Sequence, residues 1–269
     1  MIDATTMKNL ILAIQFLTII PIGKSIAYSA SDFHKIVAFF PLVGLIQGLI
    51  LLFIELVLGQ LFHPDLCIAF ILLTYVMTNG GFHLDALADT FDGLAVRGDK
   101  EKKLSVMKDS SVGAIGVIAI VFTLAIKYLS IKSVSNLLPL VYYSSLLLMP
   151  VISKWSMVIA LYHGVPAKQD GLGSLLVGKA SNRSFIFATF LLICLFGLIL
   201  SAPNIYIPQG QVLFFTIIMI LIYFLVRGLI LFYKKHFGGL TGDTVGSISE
   251  ITDVIFLIMV ILWSRLYIS

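Results

Sequence analysis

Charge is what this 269-residue chain has least of. Asp, Glu, Lys and Arg together make 12% of it, about half the share of a soluble globular protein. Hydrophobic residues make 59% and mean hydropathy is +1.05. A water-soluble domain with one buried core is excluded, and a polytopic membrane protein remains. Cysteine is nearly absent too. Cys67 and Cys194 both lie inside apolar runs, which leaves neither a disulfide framework nor a thiolate metal site. The formal excess of positive charge is only +4; distributed loop by loop, it speaks for membrane orientation and not for nucleic-acid binding. A cleavable leader is not expected either. The apolar run 9–20 follows Asp3 and Lys8, and Pro21-Ile22-Gly23 offers no small-x-small cleavage site. At about 12 residues the run is too short to cross a bilayer and is expected to be an interfacial or re-entrant helix.

Seven longer apolar segments follow, at about 36–59, 66–81, 113–131, 138–161, 184–202, 211–232 and 254–266. The expected fold is all-α, a single membrane domain over 1–269 with about seven transmembrane helices besides the N-terminal one. The last segment is short, and Pro150 is expected to kink the fourth or split it. Gly44 and Gly48 form a G-x-x-x-G face suited to close helix packing. Four alternate loops, 24–35, 82–112, 162–183 and 233–253, carry twelve Lys and Arg, while the loops between them carry only Lys132. That bias places the four basic loops in the cytoplasm, with the N-terminus inside and the C-terminus outside, in a multi-pass protein of the cell membrane.

The few charges are concentrated. Between Gly80 and Gly116 the chain reads G-G-F-H-L-D-A-L-A-D-T-F-D-G and then M-K-D-S-S-V-G-A-I-G. Asp85, Asp89 and Asp92 are spaced i, i+4, i+7, within roughly 60° of one another on a helix. Three stacked carboxylates repel unless a cation lies among them, and a hard divalent ion with oxygen ligands is the natural occupant. On a soluble protein the same pattern would more often be a solvated face; here it follows directly on a membrane segment. A second stripe, Asp243, Ser247 and Glu250, repeats the spacing and continues to Asp253. A third motif, Ala167-Lys168-Gln169-Asp170-Gly171-Leu172-Gly173, is a polar glycine turn. All three lie in basic loops and so on one membrane face, an arrangement suited to a metal-bridged pyrophosphate. Lys154 and Arg227 are cations within spans, candidates for function or for snorkelling to the interface. His83, two residues before Asp85, is either a general base or a satisfied structural histidine.

Taken together, G-G-F-H-L-D-x-L-A-D-T-x-D-G, M-K-D-S-x-x-G-x-x-G, G-L-G and T-G-D-T-x-G-x-x-x-E closely resemble the cobalamin synthase family, the adenosylcobinamide-GDP ribazoletransferases. The likeness extends to Leu17-Thr18 with Pro21 and to Phe40-Pro41-Leu42 with Gly44, nearly the whole chain. It implies Mg²⁺-dependent transfer of the adenosylcobinamide phosphate moiety from adenosylcobinamide-GDP to α-ribazole or its 5′-phosphate, with release of GMP. It also implies residues. Asp85, Asp89, Asp92, Asp109, Asp243 and Glu250 become candidate metal or phosphate-site groups, with Asp89, Asp92 and His83 as catalytic candidates. Lys108, Lys154, Lys168, Gly171, Gly173 and Thr241 become candidate substrate contacts. The lipid bilayer is the implied surrounding, with room for a homo-oligomer or a complex with other nucleotide-loop enzymes. The chain departs from the family pattern where arginine is usual, at Ile19, Ser111, Lys154 and Lys168; lysine keeps the charge and loses the bidentate fork.

Two other readings compete. Asp89-Thr90-Phe91-Asp92-Gly93 with Arg97 opens like a CDP-alcohol phosphotransferase, but Val106, Ser110 and Ala114 stand where that pattern wants Gly, Asp and Asp. A cation transporter would carry its acids near mid-membrane in paired repeats, whereas these acids read as loop and helix-end residues.

Overall fold

The computed structural model describes residues 4–23, 33–168, 175–200 and 210–267. In chain order the helices are α1 (Ala4–Leu17), α2 (Phe33–Ile36, continued by a 3-10 turn Val37–Phe39), α3 (Phe40–Leu58) and α4 (Pro64–Thr78). Next come α5 (Phe82–Ala95), α6 (Lys100–Val106), α7 (Ala114–Ser135) and α8 (Pro139–His163). The last three are α9 (Asn182–Leu200), α10 (Gln211–Phe237) and α11 (Gly242–Tyr267). Among the described residues the only strand-like pairing is one parallel bridge, Pro166 to Leu240, so the all-α expectation holds.

Among the described residues six helices are long and apolar enough to cross a membrane, and α4 with α5 makes a seventh only as a broken pair bent by 83°. Taken alone, α4 is about 22 Å long, short of the ~30 Å hydrocarbon core. The break is written in Gly80 and Gly81, at φ +63° and +73°, a conformation that costs a side-chain-bearing residue and is free to glycine. The first of them also leaves room for Ile19, whose Cγ2 would lie 2.5 Å from an added Cβ. Ile19 is fixed there by its own amide, bonded to the Thr78 carbonyl at 3.0 Å. The run 9–20 falls largely in α1, a 14-residue helix too short to span, as expected.

Two segments differ from the sequence reading. The last span is not the short 254–266 but the 26-residue α11, which begins at Gly242 and takes Asp243, Glu250 and Asp253 into the helix. Hydropathy alone hides those twelve residues because their polar side chains face inward. The stretch 233–253 is accordingly helix on both sides of a turn at 238–241, where α10 ends on Gly238 (φ +87°) with its amide on the Lys234 carbonyl, 3.0 Å. The other difference is Pro150, which neither ends nor splits α8: the helix runs through it from Pro139 to His163.

That continuous helix is the axis of the bundle. In α8 89% of the most apolar window is buried, against 28% in α7, 33% in α10 and 22% in α9. The outer helices turn Phe122, Phe190 and Phe224 outward, as lipid solvation allows. Against α8 lies α3, and the contact is backbone on backbone. A Cβ on Gly44 would sit 2.5 Å from the Pro150 carbonyl oxygen, and one on Gly48 would collide with the Leu147 carbonyl. The G-x-x-x-G face therefore packs as its spacing predicts. Gly44→Val or Gly48→Val should lower stability in detergent by about 1–3 kcal/mol, read as a fall in thermal midpoint. Gly197→Ala, with nothing within 4 Å of the added atom, should leave the midpoint unchanged.

Candidate functional site

Past the glycine break, α5 crosses α11 where Ala86 meets Gly246; a Cβ on that glycine would come within 2.6 Å of the alanine methyl. The close crossing joins the two acidic stripes. Asp85 is exposed, while Asp89 and Asp243 are half-buried. Among the described residues, the influences on the charge of Asp89 are its burial and the neighbouring Asp85, Asp243 and Asp92, with no cationic side chain; Asp85 in turn acts on Asp243. Each carboxylate opposes the ionisation of the others. Thr241 starts α11 from just before the stripe: its hydroxyl accepts the Thr244 amide at 3.2 Å, and the Thr244 hydroxyl accepts the Thr241 amide at 2.8 Å. Thr241 is thus an N-cap, and its own hydroxyl donates to Asp243 Oδ2 at 3.4 Å.

Asp92 has a different role from its stripe. Its Oδ2 accepts the Gly113 amide at 2.7 Å and its Oδ1 the Gly116 amide at 2.8 Å. A carboxylate at the N-terminus of α7 satisfies two amides that have no partner within the helix and lies at the positive end of the dipole. It also accounts for both glycines, since a Cβ at either position would collide with that carboxylate. Asp92 lies about 60° around the helix from Asp89, enough to turn it from α11 toward α7.

Deeper in the bundle the second stripe ends in a buried ion triad. Lys127 Nζ is 2.7 Å from Glu250 Oε2 and 2.7 Å from Asp253 Oδ2, and all three side chains are almost fully buried. Tyr75 donates to Asp253 Oδ1 at 3.3 Å, and its ring lies under both Lys127 and Lys154. Lys154, wholly buried, donates to Asn79 Oδ1 at 3.1 Å and meets His83 Nδ1 at 3.1 Å. Gln47 also donates to Asn79 Oδ1, at 2.8 Å. Two lysines against two carboxylates leave this interior neutral, the condition for holding charge inside a membrane protein.

The sequence candidates therefore separate. Asp85, Asp89 and Asp243 come together at the α5–α11 crossing. Glu250 goes to the triad, Asp92 to the start of α7, and Lys154 to the buried network with His83 and not to the interface. Exposed Asp109 faces Ser111, whose hydroxyl and amide at 2.6 and 3.0 Å hold its carboxyl below the usual range. Lys108 is exposed beside it. Lys168 follows the segment tied to the turn before α11 by the Ala167 amide on the Leu240 carbonyl, 2.9 Å, so the start of the third motif approaches the second; Gly171 and Gly173 lie outside the described residues. Half-buried Arg227 lies beside His163. Lys127 is the residue the sequence reading passes over, although a lysine in the apolar run 113–131 carries the same signal as Lys154. Among the described residues no three His, Cys, Asp or Glu side chains are placed to hold a metal ion between them.

An all-α polytopic membrane protein with a carboxylate cluster over a neutral, lysine-paired interior is the class these features define. The chain belongs to the cobalamin-5-phosphate synthase family, whose model matches residues 9–261. An adenosylcobinamide-GDP ribazoletransferase of Caldanaerobacter subterraneus subsp. tengcongensis is 37% identical over 251 residues, 93% of this chain and 96% of its own. The enzyme of the same name from Thermoanaerobacter sp. (strain X514) is 35% identical over 253 residues, again 93% and 96%. That of Geotalea daltonii is 33% identical over 249 residues, 93% and 95%. No solved structure matches the chain. The protein is thus a transferase of a family in cobalamin biosynthesis.

Two aspartates of one stripe should answer substitution differently. Asp92→Asn weakens two charge-assisted bonds to α7 and should lower stability by about 1–3 kcal/mol. Asp89→Asn removes one of several like charges and should leave the thermal midpoint unchanged or raise it. Lys127→Met strands two buried carboxylates and should cost about 3–5 kcal/mol. Thermal unfolding of the three purified variants in one detergent reads all three.

Proposed function

We propose that this protein transfers the adenosylcobinamide phosphate moiety of adenosylcobinamide-GDP to α-ribazole or its 5′-phosphate. The observation that carries this reading is the meeting of Asp85 and Asp89 on α5 with Asp243 on α11, with no cationic side chain of the described residues among the groups acting on Asp89. Such a cluster fits a hard divalent ion by the chemistry of its donors, all carboxylate oxygens. Mg²⁺ commonly takes one or two carboxylates and completes its shell with water and substrate phosphate, so a cluster that does not by itself bring three ligands to one point suits it. Asp89 with Asp243 or Asp85 would hold the ion through one or two carboxylates, and the ion when bound would neutralise negative charge on the pyrophosphate.

In the reaction, a ribose hydroxyl oxygen that is free in both acceptors, and so not the 5′ oxygen, forms a bond to the corrinoid-side phosphorus. The bond from that phosphorus to the bridging oxygen breaks, GMP leaves with that oxygen, and the hydroxyl proton passes to a carboxylate of the cluster. Phosphoryl transfer asks of the protein mainly position and charge stabilisation. Position comes from the α5–α11 crossing and from the Thr241 cap that fixes the first turn of α11. Lys154 acts behind this site, holding His83 in place. Lys108 and Lys168, in basic segments on the same side of the bundle, supply positive charge for the phosphates. That side is the cytoplasmic one by the distribution of Lys and Arg.

Purified protein given adenosylcobinamide-GDP, α-ribazole and Mg²⁺ should release GMP and form a cobamide in equal amounts. Asp89→Asn and Asp243→Asn should each lower kcat/KM by at least about a hundredfold, the scale of losing one charge-stabilising group. Asp99→Asn should retain the parent rate, because Asp99 only caps α6 through the Lys102 amide at 2.9 Å and asparagine caps as well. Full activity in Asp243→Asn would remove α11 from the site. A cysteine placed at exposed Ser110 should react with an impermeant reagent only from the cytoplasmic side; reaction from outside would reverse the orientation.

A further inference from the structure

Between α1, α3, α5, α8 and the first turns of α11 lies a cavity of about 320 Å³, near the lower end of small-molecule pockets, roughly 300–1,000 Å³. Phe16, Phe40, Phe82 and Met157 are among its walls, and among the described residues its ionisable lining groups are His83 and Asp243. His83 is 7% exposed, and its one described hydrogen bond is Nδ1 with Lys154 Nζ at 3.1 Å. A lysine ammonium only donates, so Nδ1 accepts and the ring hydrogen lies on Nε2, which has no partner among the described residues. Asp243 belongs to this cavity and to the carboxylate cluster at once.

We propose that the cavity is the subsite of the acceptor nucleoside, a flat apolar heteroaromatic base on ribose. The base lies among the phenylalanine rings and Met157, and the ribose lies toward His83 and Asp243. This rests on the reaction proposed above and adds where one of its two substrates sits. The corrinoid is far too large for this space, and a guanosine diphosphate is too charged for its walls. A benzimidazole is the part of the two substrates that is small, planar and apolar together. His83 Nε2–H donates to a ribose oxygen and thereby positions the sugar. Asp243 accepts the attacking ribose hydroxyl, which puts that oxygen beside the cluster where the pyrophosphate is held. Met157, 5% exposed and facing the cavity, sets the size of the base.

The test is a KM for each substrate separately in the parent protein, Met157→Phe and Met157→Ala. Met157→Phe should raise KM for α-ribazole at least tenfold and leave KM for adenosylcobinamide-GDP within twofold. Its kcat/KM preference between α-ribazole and the riboside of unmethylated benzimidazole should move about tenfold toward the smaller base, the scale of one or two carbons in an apolar pocket. Met157→Ala should move the preference the other way, and it alone decides if the larger side chain prevents folding. A preference that neither variant moves, or a KM change shared equally by both substrates, would overturn the proposal. Should the parent protein transfer nothing to α-ribazole, the reaction fails and the cavity is judged by equilibrium dialysis of α-ribazole alone. Binding lost in Met157→Phe and kept in Met157→Ala supports it; no binding to the parent protein overturns it.

Discussion

The ion triad of Lys127 with Glu250 and Asp253 is the contact on which the rest of this structure depends. A helix carrying Asp243, Glu250 and Asp253 could not enter a bilayer unless the inner two acids had a cation of their own. α7 supplies it, and the 2.7 Å bonds to both carboxylates draw α7 and α11 together deep in the bundle. Tyr75 of α4 and Lys154 of α8 close the polar interior from the other sides. With the inner acids neutralised, the outer end of the stripe is left without a lysine partner among the described residues. One helical stripe is thus divided: its inner end assembles the bundle, and its outer end brings Asp243 to Asp85 and Asp89.

Glycine settles how closely the helices carrying these groups can approach. Gly44 and Gly48 let α3 touch the backbone of α8, Gly246 lets α11 touch α5, and Gly113 with Gly116 make room for the Asp92 carboxylate. Without a hydrophobic drive between helices in lipid, this contact and the buried hydrogen bonds are what hold the bundle. Gly80 and Gly81 act otherwise: their left-handed conformation turns α5 from α4 and into its crossing with α11. The side chains that meet at the site are thus placed by residues that have none.

Much of this was legible in the sequence, for reasons that can be named. Long apolar runs report spans because the outer helices face lipid, and G-x-x-x-G reports a crossing because small residues have few other uses there. The carboxylate stripes were visible from spacing alone. The partner each acid takes was not. Asp85, Asp89 and Asp92 share a helix face to within roughly 60°, and that arc is wide enough for two to meet α11 while the third binds α7. Glu250 stood among the metal candidates through the family likeness and its place in the stripe, while hydropathy began the last span only at 254; the reciprocal Thr241–Thr244 cap marks the helix as starting at Gly242. Lys127 escaped notice because a single lysine barely lowers the hydropathy of its run, yet it decides what Glu250 and Asp253 do.

On the proposed reading the outer carboxylates are open to a divalent cation and the inner ones are not. Electron paramagnetic resonance of Mn²⁺, titrated into the purified full-length protein as a stand-in for Mg²⁺, tests it without reference to turnover. Bound Mn²⁺ should appear in the parent protein, tighten when adenosylcobinamide-GDP is added, vanish in Asp89→Asn and persist in the folded fraction of Glu250→Gln. Binding that survives Asp89→Asn and vanishes in Glu250→Gln would put the ion in the buried triad and contradict the account.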